Sequence, residues 1–444
     1  GGAANVQDIY PLAPLQEGIL FHYLMSSEGD PYLLRVVFRF DTQARVDAYV
    51  QALQAVVDRH DILRTAVLWE GLPEPVQVVW RHARLRVEEV NLDIAGGDAV
   101  QQLAARYDPR RYRLDVREAP LLRVFIAHDA EHSRWVMLQL FHHLSIDHTT
   151  LEVVQQEIQA HLQGETAKLP APLPFRNFVA QARLGISRAE HETYFRKLLG
   201  DVDETTAPYG LTDVQGDGAG IVAAGREVEA SLAKRLRARA RALGVSAASV
   251  CHVAWAQVLA RLSGREDVVF GTVLFGRMQS GSGADRVLGL FINTLPVRIR
   301  IGDETAEASV RQTHVQLAQL LRHEHAPLAL AQRCSAVKAP APLFSALLNY
   351  RHDTAAAQAT GEAIQSSGGI EYLGGEERTN YPLTLSVNDL GEGFVLTAQV
   401  QAPLDPQRLC GYMHTALEQL IAALENAPVT PVRGLDVVPE RERQ

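Results

Sequence analysis

Cysteine is scarce in this chain: Cys251, Cys334 and Cys410 lie far apart among 444 residues. An odd, scattered set excludes a disulfide framework, and none of the spacings matches a metal-ligand pair. Buried free thiols in a reducing compartment are the expectation. Long apolar runs are missing too, and no secretory signal opens the sequence, which points to a cytoplasmic protein with no membrane partner. Nor is there an excess of positive charge. The formal charge is −9, whereas nucleic-acid binders are more often basic, so a nucleic-acid partner is not expected. What is present, 47% apolar and 21% charged residues, is the composition of an ordinary globular protein. A chain of 444 residues exceeds one ordinary core, so two or more lobes are expected. Its start at Gly1-Gly2 suits a domain cut from a longer chain.

Periodicity gives an alternation of strands and helices. Tyr32 to Phe40 reads as a strand, and Val46, Tyr49, Val50, Leu53, Val56 and Val57 mark one face of a helix. Further strands are expected at Pro75–Val79, Leu85–Val90, Leu121–His128 and Trp135–Leu140, with a helix over Thr149–Leu162. Gly164 to Pro174 holds three prolines and reads as a linker, and Asp201 to Gly220 as a loop. The scheme then repeats. Strands are expected at Ile221–Val228, Val268–Leu274, Leu295–Ile301, Leu343–Tyr350, Leu383–Asn388 and Phe394–Val400. Helices are expected after Ser231, after Ser246 and over Pro406–Glu425. The fold class is α/β or α+β, in two lobes of similar scheme that would hold a ligand between them.

The densest chemistry lies at Phe141-His142-His143-Leu144-Ser145-Ile146-Asp147-His148. Two histidines end an apolar strand, an aspartate follows, and a helix begins. An imidazole there can give or take a proton near neutral pH, since its reference pKa is ~6.5. The pattern alone is weak. A histidine is often a satisfied core residue, and Asp147 could cap the next helix, although Thr149 and Glu152 fit a capping box without it.

Other segments sharpen the reading. His142-His143 with Asp147 resembles the HHxxxDG signature of the condensation domains of nonribosomal peptide synthetases. Tyr10 to His22, YPLAPLQEGILFH, resembles the opening motif of that family, and Arg59-His60-Asp61-Ile62-Leu63-Arg64-Thr65 its RHExLRT segment. Phe175 to Phe178, the Gly276-Arg277 pair, Leu288 to Thr294 and Asn380 to Leu383 are similar to its later motifs, in the same order.

The resemblance implies two lobes like chloramphenicol acetyltransferase, set in a V with a tunnel between them. The lobes would span 1–170, with the histidine motif, and 171–444, with floor-loop and latch crossovers. It implies amide-bond formation between a donor acyl or peptidyl thioester and the amine of an acceptor aminoacyl thioester. Both would ride on phosphopantetheine arms of peptidyl carrier domains, with an adenylation domain as neighbour and no cofactor of the domain's own. His143 takes the catalytic position, as base or as positioning group; His142 supports the loop. Asp147 is expected to pair with an arginine, for which Arg277 is the candidate. Asn293 and Tyr381 could line the cleft but read more readily as a turn cap and a core residue. Arg235, Arg237, Arg239 and Arg241 read as a solvated helix face, with carrier docking as the sharper alternative.

His22 to Asp30, HYLMSSEGD, resembles the extension found in dual epimerisation/condensation domains. Inversion of the donor α-carbon needs a further acid or base, for which His22 and Tyr23 are the candidates. Tyr23 stands where that pattern has a second histidine, and a phenol of reference pKa ~10 is a poorer base at neutral pH. A starter domain that takes its acyl group from coenzyme A is an alternative, and an inactive carrier-docking scaffold is another.

His148 stands where the family has glycine, and its side chain is expected to shape the donor path. His148→Gly should then change the rate or the choice of donor in a condensation assay; a variant unchanged in both would remove the assignment.

Overall fold

The structure, a computed structural model, describes residues 2–26, 28–93, 96–214, 218, 220–276, 287–352, 368–376 and 379–442, without the side chains of 148, 375 and 376. Its chain divides into two compact units. The first comprises Gly1–Gly185, Phe275–Ile292 and Ala356–Arg378; the second comprises Ile186–Leu274, Asn293–Ala355 and Thr379–Gln444. Both are mixed α/β, the expected class.

The first segment runs β1 (Val6–Pro11), α1 (Pro14–Met25), β2 (Leu33–Phe40), α2 (Gln43–Arg59), β3 (Thr65–Leu68), β4 (Val76–Trp80), β5 (Arg86–Glu89), α3 (Ala99–Arg106), β6 (Leu122–Asp129), β7 (Arg134–His142), α4 (His148–Leu162) and α5 (Phe175–Leu184). There follow α6 (Arg188–Leu199), β8 (Ile221–Val228), α7 (Ala230–Leu243), α8 (Ala247–Ser263), β9 (Asp267–Leu274), β10 (Asn293–Arg300), α9 (Ala306–Arg322), α10 (Leu328–Arg333), β11 (Ala346–His352), β12 (Ile370–Glu376), β13 (Leu383–Asp389), β14 (Phe394–Gln401) and α11 (Pro406–Asn426). No single helix among the described residues is both long and apolar enough to cross a membrane.

The main sheet of the first unit has the order β12-β2-β7-β6-β5. It is covered on both faces, which is why β2 and β7 read as near-continuous apolar runs. Val36, Phe38 and Phe40 of β2, with Met137 and Phe141 of β7, share a core with Val46, Tyr49 and Leu53 of α2 and Val154 and Ile158 of α4. Their neighbours Leu33, Val37, Val136, Leu138 and Leu140 join the opposite core with Ile19, Leu20 and Tyr23 of α1 and Leu103 of α3. The strand period of two therefore assigns each side chain of β7 to one core or the other. By that period His142 continues the α1 side, and it is fully buried.

The second unit has a sheet of order β10-β9-β11-β13-β14-β8. Its α8 is apolar nearly all round and buried from Ser249 to Ala260, with Trp255 inaccessible to solvent. Along β14, alternate residues are buried, as expected of a strand with one face on the core. Ser246 caps α8 as its sequence suggests, accepting from the Ser249 N–H. Ser231 does not cap α7. Glu229 holds the N-cap position, and its carboxylate turns to His414 on α11 instead of to the first turn. Two of the four α7 arginines depart from a solvated face: Arg235 forks onto Glu425, and Arg237 pairs with Asp389 while its guanidinium lies 4.1 Å from the Phe394 ring centroid; Arg241 is exposed as expected. Cys251, Cys334 and Cys410 are buried and form no disulfide.

The segment Leu288 to Phe291 is built into the first unit's cores. Gly289 adopts φ +149, and a Cβ there would lie 2.2 Å from the Phe175 ring. Gly289→Ala is therefore expected to destabilise the protein by on the order of 3 kcal/mol, read as a lower urea midpoint at unchanged slope.

Candidate active site

The histidine motif leaves the end of β7 and enters α4 within five residues, 143 to 147. His142 is the last residue of β7 and His143 the first of the turn that follows, and the two side chains have different surroundings. His142 is fully buried beneath α1, with the Tyr23 ring edge-on to it at 6.0 Å between centroids. The Leu144 N–H donates to His142 Nδ1 at 3.0 Å. Nδ1 is thus an acceptor, and the proton of a neutral ring sits on Nε2. Nε2 lies 2.9 Å from Oδ2 of the equally buried Asp30, a close charge contact whose direction is poor for a straight hydrogen bond.

Asp30 is held in place by its own backbone. Its N–H donates to the Pro109 carbonyl at 2.7 Å, and Oδ1 accepts from the Tyr32 N–H at 3.0 Å. Gly29, with φ +67, brings the loop so close to Arg110 that a Cβ would lie 2.3 Å from its carbonyl oxygen. Burial alone would raise the Asp30 carboxyl; His142, the Tyr32 N–H and Arg113 outweigh it and hold it below the ordinary carboxylate value.

His143 is half-buried. Its backbone N–H donates to the Tyr32 carbonyl at 2.9 Å, and its Nδ1 lies 3.1 Å from the Ile146 carbonyl oxygen. A carbonyl can only accept, so Nδ1 carries the proton and Nε2 is the basic nitrogen of the neutral ring. The two histidines are therefore held in opposite senses, His142 protonated at Nε2 and His143 at Nδ1.

Asp147 is the N-cap of α4. Its Oδ1 accepts from the Thr150 N–H at 2.7 Å, and its Oδ2 from the Phe291 N–H at 3.2 Å. The capping box expected at Thr149 and Glu152 is thereby displaced: the helix starts at His148, because a carboxylate two residues earlier already satisfies the first turn. Thr150 Oγ1 donates to the Gly289 carbonyl at 2.7 Å, which fastens α4 to the 288–291 segment. Arg277, expected to pair with Asp147, lies outside the described residues, as does the side chain of His148.

A second support comes from the N-terminal segment. Gln16 and Gln77 are fully buried and interlock, each amide nitrogen donating to the other's oxygen at 3.0 and 2.9 Å. Gln16 Nε2 also donates to the Leu144 carbonyl at 2.7 Å. From the Arg59–Thr65 segment, Asp61 Oδ2 accepts from the Phe175 N–H at 3.1 Å, and the Phe175 and Phe178 rings pack on Phe291.

The remaining expected residues separate. His22 is exposed, with Nδ1 2.6 Å from the Tyr32 hydroxyl, and partial desolvation lowers its imidazole pKa. Tyr23 is buried; its hydroxyl donates to the Leu114 carbonyl at 3.1 Å, and the Arg113 guanidinium covers its ring at 3.7 Å. Asn293 and Tyr381 belong to the second unit. Asn293 Nδ2 donates to the carbonyls of Glu324 and Ala326 at 2.6 and 2.8 Å, and Tyr381 stacks on Phe344, its hydroxyl pushed up to about 12 by burial. No cluster of three His, Cys, Asp or Glu suited to a metal occurs among the described residues.

A family model for the condensation domain matches residues 6–444. The chain belongs to the condensation-domain family. Malpinin synthetase of Mortierella alpina is 53% identical over 443 residues, covering 100% of this chain and 6% of its own length. A linear gramicidin synthase of Brevibacillus parabrevis is 30% identical over 463 residues, again 100% of this chain and 6% of the relative. This condensation domain thus spans a small part of the curated relatives it matches. Among solved structures, a holo four-domain nonribosomal peptide synthetase bound to AMP and glycine gives a TM-score of 0.76 at 16% identity, covering 99% of this chain and 34% of that one. The starter condensation domain of rhizomide synthetase gives 0.69 at 18% identity, covering 98% of each. These two likenesses are of fold.

Asp30, Gln16, Gln77 and Thr150 carry no role in the sequence reading of this condensation domain. Asp30 is nonetheless visible there as the end of the His22–Asp30 extension, and Gln16 as a lone amide between Leu15 and the apolar Ile19-Leu20 pair. The Asp30–His142 contact makes a prediction. A carboxylate held low in the fold contributes stability that is present above its unfolded pKa, about 3.9, and is lost as pH falls through its lower folded value. Asp30→Asn should cost about 3 kcal/mol near neutral pH and flatten the loss of stability below about pH 4, both measured by urea unfolding across pH.

Proposed function

We propose that this domain joins a donor acyl or peptidyl thioester to the amine of an acceptor aminoacyl thioester, each presented on the phosphopantetheine arm of a peptidyl carrier domain, with an adenylation domain as neighbour. The observation that carries the reading is the contact of His143 Nδ1 with the Ile146 carbonyl, which places the ring proton on Nδ1 and makes Nε2 the basic nitrogen. The thioester is already activated, so no covalent enzyme nucleophile is needed. The acceptor nitrogen attacks the carbonyl carbon, the C–S bond breaks, and the thiolate leaves with the donor arm. The amine must lose a proton as the C–N bond forms. His143 Nε2 accepts it, or orients the amine to that end, and the proton is released to the departing thiolate. In this reading His142 and Asp147 are frame: both direct their polar atoms into the loop backbone or into Asp30.

The finer reading is a domain of the dual type, supported by the His22–Asp30 extension. Against Tyr23 as the second base stand its burial and the donation of its hydroxyl to Leu114, so His22 is the imidazole to test for α-carbon proton removal. A starter domain using acyl-coenzyme A is the other reading within the class.

The test uses purified protein with loaded donor and acceptor carriers. We expect an amide product by mass spectrometry, and a rate lowered about 10²- to 10⁴-fold by His143→Ala with carrier binding retained. An undiminished rate would remove the role of His143. A D-configured donor residue supports dual activity and an L-configured one sinks it. Transfer from coenzyme A supports the starter reading, and tight carrier binding without product favours a scaffold.

A further inference from the structure

We propose that Gln16 is a positioning residue for His143, acting through the peptide of Leu144; this rests on the reading of His143 as the working group. Leu144 follows His143 directly, and both of its backbone polar groups are held by buried side chains. Its N–H donates to His142 Nδ1 at 3.0 Å, and its carbonyl accepts from Gln16 Nε2 at 2.7 Å. One tether belongs to the motif itself. The other crosses from α1, 128 residues earlier in the chain.

The Gln16 amide has a single workable orientation. Its oxygen accepts from the Ala13 N–H at 2.8 Å and from Gln77 Nε2 at 2.9 Å. Its nitrogen donates to Gln77 Oε1 at 3.0 Å and to the Leu144 carbonyl. Gln77 Nε2 donates onward to the Pro11 carbonyl at 3.2 Å. Rotating the Gln16 amide would set its oxygen against the Leu144 carbonyl and its protons against the Ala13 N–H. Both amides are fully buried, where an unmade hydrogen bond is costly, so the network holds its members in one arrangement. For packing alone a leucine or methionine would fill the site without the desolvation of an amide. What the amide adds is a fixed point for the Leu144 carbonyl. With the Leu144 N–H also fixed, the direction in which the His143 side chain leaves the backbone is set. The Ile146 carbonyl then sets the turn of its ring. A reacting group displaced by about 1 Å can lose about 10²-fold in rate.

Two variants and one background test this in the carrier assay. Gln16→Met keeps the length and removes the hydrogen bonds; it should lower kcat about 10- to 100-fold with KM for the acceptor carrier changed by less than about twofold. Gln16→Glu supplies a donor to the Leu144 carbonyl only while its carboxyl is protonated, and burial raises that pKa. Its rate relative to the parent should be near parity at low pH and fall as pH rises, with circular dichroism unchanged across the range. A residue that only packs would give no such inflection. In the His143→Ala background, Gln16→Met should change kcat by less than about twofold.

Parental kcat in Gln16→Met, or an equal loss in the His143→Ala background, would overturn the proposal. If Gln16→Met fails to fold, the pH profile of Gln16→Glu decides, and a flat ratio overturns it. Should His143→Ala itself keep the parental rate, the reading of His143 fails instead, which the single variants distinguish.

Discussion

The contact between His142 and Asp30 is the point from which the rest of the motif hangs. An imidazole and a carboxylate fully out of water are tolerable only if each remaining polar atom has a place to go. For the Asp30 carboxylate that place is the Tyr32 N–H; for His142 it is the Leu144 N–H. The first holds Tyr32, whose carbonyl accepts from the His143 N–H, and the second holds the residue after His143. The strand supplies the other half of the constraint. The period of β7 turns its last residue, His142, to the face of Leu138 and Leu140, and the chain leaves the strand at His143, whose side chain is half-buried. The pair is thus a device in which the buried member pins the register of the half-exposed one.

Much of the fold was legible because periodicity is written by burial. The predicted strand Ile221–Val228 and the cap at Ser246 agree residue for residue, and the stripe from Val46 to Val57 on α2 is buried as read, except that Val50 is half-buried and Ala52 joins it. Helices α1, α3, α5, α6, α9 and α10 have no counterpart among the expected elements. In α9 the buried residues include Ser309 and Thr313, whose small polar side chains do not register as an apolar face. Strand β12 was missed because Gly374 and Gly375 interrupt its alternation, and Gly374 sits at a register shift against β2.

The site was legible in its chemistry and not in its supports. His143 could be singled out because a titratable group after an apolar strand is conspicuous. Gln16, Gln77 and Asp30 could not, since their roles exist only after segments distant in sequence have been folded together. Asp147 shows the limit from the other direction. Both a cap and a buried ion pair were imaginable for it. The structure displays the cap and a bond to the Phe291 N–H that no local pattern announces, while the ion pair with Arg277 falls outside the described residues.

Strand β12 has a consequence in time. It pairs with β2 along Ile370 to Glu376, yet β2 ends at Phe40. A ribosome must therefore emit more than three hundred further residues before the edge of that sheet is closed. Both flanks of β2, an apolar run from Leu33 to Phe40, lack partners until β7 is made, and one of them stays bare until β12 arrives. Such an edge invites pairing with a neighbouring nascent chain, and its late closure makes the first unit dependent on the second half of its own message. The first unit is in this sense finished last, and a chain truncated anywhere between α4 and Ile370 would carry a complete histidine motif on an unfinished sheet.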